Sequence, residues 1–324
     1  MLNIGYTLMG EQTGPRELVA SAAAAERAGF DLLVSSDHYF PWLAEQGHSP
    51  HAWTVLGAVS QVTDAIPFMT YVTCPSFRYH PVVVAQKAAT LQILSGGRFT
   101  LGLGSGENLN EHVVGGGWPS ADVRQERLLE ALDILESLFD GDTLSYDGEH
   151  FTVDSAKLWD LPDVRVPIGV AVSGSQGVEL FAERADALIA VEPKGDLVQE
   201  WDAARSGTPS RKVGQLPVSW DSDADAAVQR AHEQFRWFGG GWKVNAELPG
   251  PASFAAASQF VRPEDVSASI PCGDKVEAIV DAVRPFAEAG FTDLALVQIG
   301  GDQQDTFLRA AEQEILPALR EAFA

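Results

Sequence analysis

The chain has 324 residues, of which 45% are hydrophobic, so it holds enough apolar material for a large core. Its 22 Lys and Arg against 45 Asp and Glu give a net charge of -23, which excludes strong binding to nucleic acid or anionic membranes. Two cysteines are too few for a disulfide scaffold or a cysteine-based metal site. Because the sequence has no secretory signal and no long apolar run, we expect a cytoplasmic protein without membrane spans. We also expect no metal site.

Short apolar runs alternate with helical stretches along the whole chain. The predicted strands are Asn3–Leu8, Asp31–Ser35, Phe68–Thr73, Arg98–Gly104, Pro167–Val172, Ala187–Val191, Leu216–Trp220 and Leu294–Ile299. The predicted helices are Pro15–Ala28, Ala52–Val62, Pro81–Leu94, Ala121–Phe139, Gln176–Arg184, Leu197–Ala204, Ala224–Trp237, Lys275–Ala289 and Asp305–Ala322. Each of the eight strands is followed by a helix, which is the count that a closed parallel barrel requires. The pattern predicts an α/β fold, a (β/α)₈ TIM barrel forming one domain over residues 1–324. An open doubly wound sheet is the alternative.

Two segments interrupt the alternation of strands and helices. Residues 141–166 contain YDGEHFTV, which predicts a hairpin that turns at Asp147 and Gly148. Residues 238–272 are rich in glycine and proline. Because long insertions in barrels usually cover the catalytic face, we expect both segments to cap the carboxyl ends of the strands.

The segment SSDHYFPW directly follows the second predicted strand, at the end of the barrel where functional residues lie. His38 is a candidate general base because its unperturbed pKa is close to neutrality. Asp37 is placed to orient His38 or to contact a cofactor, and Trp42 to stack on a flat ligand. The alternative is a solvated loop with one anchored aromatic side chain.

The segment GLGSGENLNEH follows the fourth predicted strand. Its glycines, including Gly106, let the backbone approach a ligand closely, although their spacing is not that of a dinucleotide fingerprint. Glu107 is a candidate proton donor if a dry pocket raises its pKa, and Asn110 offers a donor and an acceptor to a cofactor. The alternative is an ordinary loop that begins a helix.

Small polar residues follow two further strands. Thr73 and Ser76 follow the third strand, where they can bond a cofactor ring. Ser173, Gly174 and Ser175 precede a predicted helix, and free N–H groups at such a position favour an anion such as a cofactor phosphate. An ordinary turn is the alternative in both places.

Taken together, these segments resemble the luciferase-like flavin and deazaflavin oxidoreductases, and more closely the branch named for coenzyme F420-dependent glucose-6-phosphate dehydrogenase. The resemblance runs over nearly the whole chain. It is carried by Ser36-Asp37-His38 with Trp42, by QGHSP at 46–50, by residues 73–81, by GSGENLNE at 104–111 and by NAELP at 245–249.

The resemblance implies a homodimeric barrel that binds coenzyme F420 at the carboxyl ends of its strands. Residues that would contact the deazaflavin and its linker are Asp37, Val72, Thr73, Gly106, Glu107 and Asn110, and those that would hold its phosphate are Ser173, Gly174 and Ser175. A non-proline cis peptide is expected near Tyr71-Val72. The resemblance further implies that His38 takes the proton from a substrate hydroxyl while hydride passes to C5 of the deazaflavin. Glu107 would donate to N1 of the ring, and Trp42 would steady the intermediate.

The sequence departs from the sugar-phosphate enzymes of this branch, which hold the substrate phosphate with basic residues from three places. One is retained at Lys194, but the stretches 254–261 and 266–272, where the others belong, contain no Lys or Arg. One cation holds a phosphate dianion poorly. We therefore expect a small non-phosphorylated alcohol or carbonyl substrate, contacted by Trp42 and Lys194.

Three other functions are alternatives to a deazaflavin-dependent enzyme. An FMN-dependent luciferase-like monooxygenase has the same fold, but His38, Trp42 and Glu107 suit hydride transfer to a deazaflavin and have no obvious role in oxygen activation. A non-catalytic paralogue that only binds the cofactor has no reason to keep both an acid and a base. A hydrolase using Asp37 and Glu107 as a carboxylate pair needs no cofactor.

Overall fold

A closed barrel of parallel strands forms the centre of the computed structural model, which describes residues 1–324. The strands are β1 (Asn3–Leu8), β2 (Leu32–Ser35), β3 (Phe68–Thr70), β4 (Phe99–Leu103), β5 (Leu144–Asp147), β6 (Thr152–Ala156), β7 (Ile168–Ala171), β8 (Ala187–Ile189), β9 (Arg211–Val218) and β10 (Asp293–Gln298). The barrel order is β1-β10-β9-β8-β7-β4-β3-β2, and β5 pairs with β6 in a separate sheet. The predicted (β/α)₈ barrel is confirmed.

Helices surround the barrel. They are α1 (Pro15–Ala28), α2 (Ala52–Val62), α3 (Pro81–Leu94), α4 (Asn108–Glu111), α5 (Ala121–Phe139), α6 (Ser175–Phe181), α7 (Gly195–Ala204), α8 (Ala224–Phe235), α9 (Trp242–Asn245), α10 (Pro251–Ala257), α11 (Pro263–Ser267), α12 (Val276–Ala289), α13 (Gln304–Ala310) and α14 (Leu316–Ala322). Both α1 and α12 end at a glycine in the left-handed conformation, Gly29 and Gly290, which stops each helix just before a strand. None of these helices combines the length and the apolar character needed to cross a bilayer.

Apolar side chains fill both faces of the barrel wall. The larger cluster lies between strands and helices, while a smaller one, including Leu32, Val34, Met69 and Ile189, fills the interior. The two faces follow from the alternation of side chains along each strand. At Gly102 of β4 an added Cβ would lie 1.9 Å from the carbonyl oxygen of Thr70, so the close approach of β3 and β4 requires glycine.

Strand β9 begins at Arg211, five residues before the predicted start at Leu216. The predicted start was too late because a strand that begins with Arg and Lys resembles a polar loop. In the structure Arg211 pairs with Asp293 of β10 at 2.8 Å, and Lys212 pairs with Asp202 of α7 at 2.8 Å. These ion pairs neutralise both cations where the strand enters the barrel.

The two insertions differ in position, and the prediction for the first was wrong. Residues 141–166 do contain the expected hairpin, but it packs on the outside of α5, where the Glu130 carboxylate accepts the N–H groups of residues 149–151. This segment joins the end of α5 to β7, so it starts at the amino ends of the strands. Residues 238–272 do cap the carboxyl ends, since Asn108 N–H donates to the Ala246 carbonyl at 2.9 Å.

Candidate active site

The loops after four neighbouring strands meet at one place on the carboxyl side of the barrel. Because β1, β2, β3 and β4 are adjacent in the sheet, the segments that follow them lie side by side. These loops supply Glu11 after β1, Asp37, His38 and Trp42 after β2, Thr73 and Arg78 after β3, and Glu107, Asn110 and Glu111 after β4. The acid, base and aromatic residues predicted from sequence therefore lie together.

His38 lies between two carboxylates. Its Nδ1 is 2.7 Å from Oε1 of Glu11, and its Nε2 is 3.7 Å from Oε2 of Glu107. Burial by itself lowers the pKa of His38, but the charge of Glu11, its contact with the imidazole and the charge of Glu107 outweigh burial and raise it. The Glu11 side chain is only 1% exposed, and its Oε1 also accepts the Ser36 hydroxyl at 2.7 Å. Burial raises the pKa of Glu11, yet His38 and Ser36 bring it below the ordinary value.

Glu107 is largely buried, with 15% of its side chain exposed, as expected of a proton donor. Burial raises its pKa, and the neighbouring carboxylates Glu11 and Glu111 add to the rise, while His38 opposes it. The Nδ2 group of Asn110 donates to Oε2 of Glu107 at 3.3 Å. Glu107 therefore keeps its proton to higher pH than an exposed glutamate.

Asp37 does not orient His38, which corrects one of the two roles considered for it. Its carboxylate accepts the Trp53 indole N–H at 3.0 Å, the Thr73 hydroxyl at 2.7 Å and the Tyr79 hydroxyl at 3.2 Å. These bonds turn Asp37 toward the loop after β3. Glu11 holds the position beside Nδ1 of His38 instead.

Trp42 forms one wall beside His38. Its indole stacks on Trp237, which directly precedes the second insertion, with ring centroids 4.1 Å apart, and its ring lies 4.5 Å from the imidazole in an edge-on arrangement. The Trp42 Nε1 donor is buried without a partner. An unpartnered buried N–H is unusual and marks a place where a ligand atom can bind.

The loop after β4 lies close to the loop after β3. Gly106 has φ = 93°, and an added Cβ there would meet Sγ of Cys74 at 2.8 Å. A Cβ on Gly104 would meet Val72 Cγ2 at 2.5 Å. The peptide between Tyr71 and Val72 is cis, as expected. Ser76, the other candidate in this loop, is buried with its hydroxyl 3.2 Å from Cys74 Sγ.

The residues expected to hold phosphate groups lie farther out. Ser173 and Gly174 lie between β7 and α6, Ser175 is the first residue of α6, and all three are exposed. Lys194 follows β8, is about half exposed at 52%, and forms an ion pair with Glu192. None of these side chains contacts the group around His38 by a hydrogen bond or ion pair.

Sequence reasoning missed Glu11 and Arg78. Glu11 lies three residues past the end of β1, so the rule that functional residues follow barrel strands applied to it as well. Arg78 stands within the segment after β3, where only hydroxyl residues were considered. Its guanidinium joins Asp37 and Glu111 in the structure.

Comparison with known proteins decides the family. Residues 3–293 match the model of the luciferase-like monooxygenase family. The F420-dependent glucose-6-phosphate dehydrogenase of Beutenbergia cavernae is 35% identical over 99% of this chain and 98% of its own length. The corresponding enzyme of Microbacterium testaceum is 32% identical over 100% and 99%. The chain belongs to the luciferase-like family.

Among solved structures, an F420-dependent secondary alcohol dehydrogenase in complex with an F420–acetone adduct superposes with a TM-score of 0.87. It is 28% identical, covering 98% of this chain and 99% of that one. The resemblance to the F420-dependent branch is therefore confirmed.

Proposed function

We propose that this protein is a coenzyme F420-dependent dehydrogenase or reductase that acts on a small, non-phosphorylated alcohol or carbonyl compound. The observation that carries the proposal is His38 held between Glu11 and Glu107 at the carboxyl ends of the strands, in a chain whose relatives bear the names of F420-dependent dehydrogenases. The experiment that tests it is titration of the purified protein with F420 beside FMN, followed by turnover with neutral alcohols.

The site has features that suit F420. Two buried polar atoms beside His38 lack partners, Nε1 of Trp42 and Oε2 of Glu11, and a polar ligand or substrate would satisfy them. The residues proposed to line the ring and its linker are Asp37, Val72, Thr73, Gly106, Glu107 and Asn110, with Ser173, Gly174 and Ser175 for the phosphate. When bound, F420 supplies the carbon, C5, that exchanges hydride with the substrate.

His38 is the proposed general base of alcohol oxidation. Its Nε2 takes the hydroxyl proton of the substrate, while Glu11 at Nδ1 holds the ring and stabilises the imidazolium that forms. Glu107 is the proposed acid, because burial raises its pKa and it keeps its proton to higher pH than an exposed glutamate. Trp42 offers an unpaired N–H to the substrate oxygen. In the reducing direction His38 returns the proton to the carbonyl oxygen.

The charges near the site favour a neutral substrate. The acidic side chains at these strand ends are Glu11, Asp37 and Glu111, which are buried, and Glu107, which is 15% exposed; the guanidinium that pairs with Asp37 and Glu111 is Arg78. The Lys194 ammonium is already paired with Glu192. The two cations of the second insertion, Lys243 and Arg262, are exposed, and Arg262 is paired with Asp265 at 2.8 Å. The acidic side chains would therefore repel a dianionic substrate, and Lys194 in the loop after β8 is already paired and cannot hold it freely.

Alcohol oxidation should accelerate with pH through an apparent pKa above about 6.5, the ordinary histidine value. Because the pKa of His38 is raised, the neutral base forms only at higher pH. The apparent value belongs to the coupled group of His38, Glu11 and Glu107, because these side chains interact as they titrate. Profiles of kcat and kcat/KM against pH in both directions measure this. A rising limb below the ordinary histidine value would contradict the assignment of His38.

We also propose that the protein is a homodimer. The outer surfaces of α2 and α3 expose Val62, Val83, Ile93 and Leu94, each by 43–48%. Exposed apolar residues on adjacent helices suit an interface between protein chains. Light scattering should give about twice the chain mass of 34.7 kDa. A monomer at micromolar concentration would contradict the proposal.

A further inference from the structure

One guanidinium ties together three of the loops that form the site. Arg78 follows β3, and its side chain is only 7% exposed. Its Nη2 donates to the backbone carbonyl of Asp37 at 2.5 Å and lies 3.4 Å from Oδ1 of the same residue. Its Nε donates to Oε1 of Glu111 at 3.2 Å, and its backbone N–H donates to Oε2 at 3.0 Å.

The two partners of Arg78 are next to the proposed base and acid in the chain. The Asp37 carbonyl belongs to the peptide that joins Asp37 to His38. Glu111 is the last residue of α4, the short helix that begins directly after Glu107. A shift of the guanidinium would therefore move the His38 peptide relative to α4. Tyr79 shares this packing, since its hydroxyl bonds Asp37 and its ring lies 5.0 Å from the Arg78 guanidinium.

We propose that Arg78 is a positioning residue, whose planar fork sets the separation between His38 and Glu107. The inference rests on the proposed function for its catalytic consequence. Arginine suits this task because its donors have a fixed geometry, whereas a lysine ammonium is a single point charge on a flexible stem. A misplacement of about 1 Å can lower the rate of a positioned reaction on the order of 10²-fold.

The charge of Arg78 has a separate effect, which allows geometry and charge to be tested independently. Its neighbours are Asp37, Tyr79 and Glu111, and beyond Tyr79 lie Lys87 and His51. His38 is faced by Glu11 and Glu107, which favour its protonation, and by Arg78, which opposes it. Removing the positive charge at position 78 should therefore raise the pKa of His38. Replacing the guanidinium with a different cationic group should leave that pKa unchanged.

The test compares Arg78→Lys and Arg78→Met with the wild type. We expect both variants to lose kcat on the order of 10²-fold, with a smaller change in KM. The rising limb of the pH profile should stay in place in Arg78→Lys and move to higher pH in Arg78→Met. The matched controls are the same substitutions at Arg184, which also bridges two carboxylates, Asp133 and Glu136, but lies away from the site. These controls should keep wild-type kcat and pH dependence.

An NMR titration of His38 in the cofactor-free protein, assigned with His38→Gln, gives a readout that does not need turnover. A higher His38 pKa in Arg78→Met and a shifted His38 resonance in Arg78→Lys support the proposal. Wild-type kcat and an unshifted resonance in Arg78→Lys overturn it. If both variants fail to fold, Glu111→Gln removes one anchor of the fork; a loss of kcat then supports the proposal and an unchanged kcat overturns it. If the wild type oxidises no alcohol, the proposed function fails and the titration still decides the role of Arg78.

Discussion

Replacing His38 with alanine should lower the rate of alcohol oxidation by about 10²–10⁴-fold, the usual contribution of a positioned general base. Affinity for F420 should stay close to that of the wild type, because His38 is not among the residues proposed to hold the cofactor. The reason for the loss is geometric: Nε2 faces Glu107 across the site, while Glu11 fixes the other nitrogen at 2.7 Å. Steady-state kinetics with a neutral alcohol and fluorescence titration with F420 measure the two quantities.

Two further variants separate the role of His38 from general damage. His38→Ala leaves the Glu11 carboxylate buried without its partner, which can lower stability. The double variant His38→Ala with Glu11→Gln removes that charge and should lose the same activity. His232→Ala is a control, because this histidine bonds only the Val261 carbonyl on another part of the surface, and it should keep full activity. An oxidation rate in His38→Ala close to that of the wild type would remove His38 from the mechanism.

Small neutral alcohols should be used in preference to glucose 6-phosphate, with kcat/KM higher by a factor on the order of 10² or more. Each charge-assisted hydrogen bond to a phosphate contributes about 1.5–3 kcal/mol, and the stretches 254–261 and 266–272 offer no Lys or Arg to form one. The Phe254 side chain is buried instead, packed with Leu43 and Leu109 beneath the Trp42–Trp237 pair. Apolar walls of this kind favour an uncharged substrate.

A parallel comparison of the two substrate classes provides the measurement. Deazaflavin reduction is followed with a series of neutral alcohols and with glucose 6-phosphate under the same conditions. Lys194→Ala should leave the neutral alcohols nearly unaffected, because the ammonium is half exposed and paired with Glu192. Efficient oxidation of glucose 6-phosphate, abolished by Lys194→Ala, would show that the substrate proposal is wrong.

The sequence predicted the barrel and the clustering of its strand-end residues for a physical reason. Alternating apolar runs specify parallel strands, and the carboxyl ends of adjacent strands must lie together, which places Asp37 after β2 near Thr73 after β3. His38 and Glu107 follow β2 and β4, which β3 separates, and they meet at the same end of the barrel. The resemblance supplied the cis peptide at Tyr71-Val72, which no periodicity indicates.

The pairing of individual side chains could not be predicted in the same way. Glu11 and His38 are 27 residues apart, and only the β1–β2 register brings them into contact. The pattern also gave no reason for Asp37 to face Trp53 and not the adjacent His38. The hairpin at 141–166 was misplaced because its length was considered without the direction of the helix that precedes it.

The measurement that tests the central claim most directly is fluorescence titration of the purified protein with oxidised F420, run beside FMN. The proposed function predicts saturable, tight binding of F420 and weak binding of FMN. It also predicts a lower affinity for F420 in a double variant in which both Ser173 and Ser175 are replaced. Preference for FMN would contradict the claim and point to a monooxygenase, and binding of neither would exclude a deazaflavin enzyme.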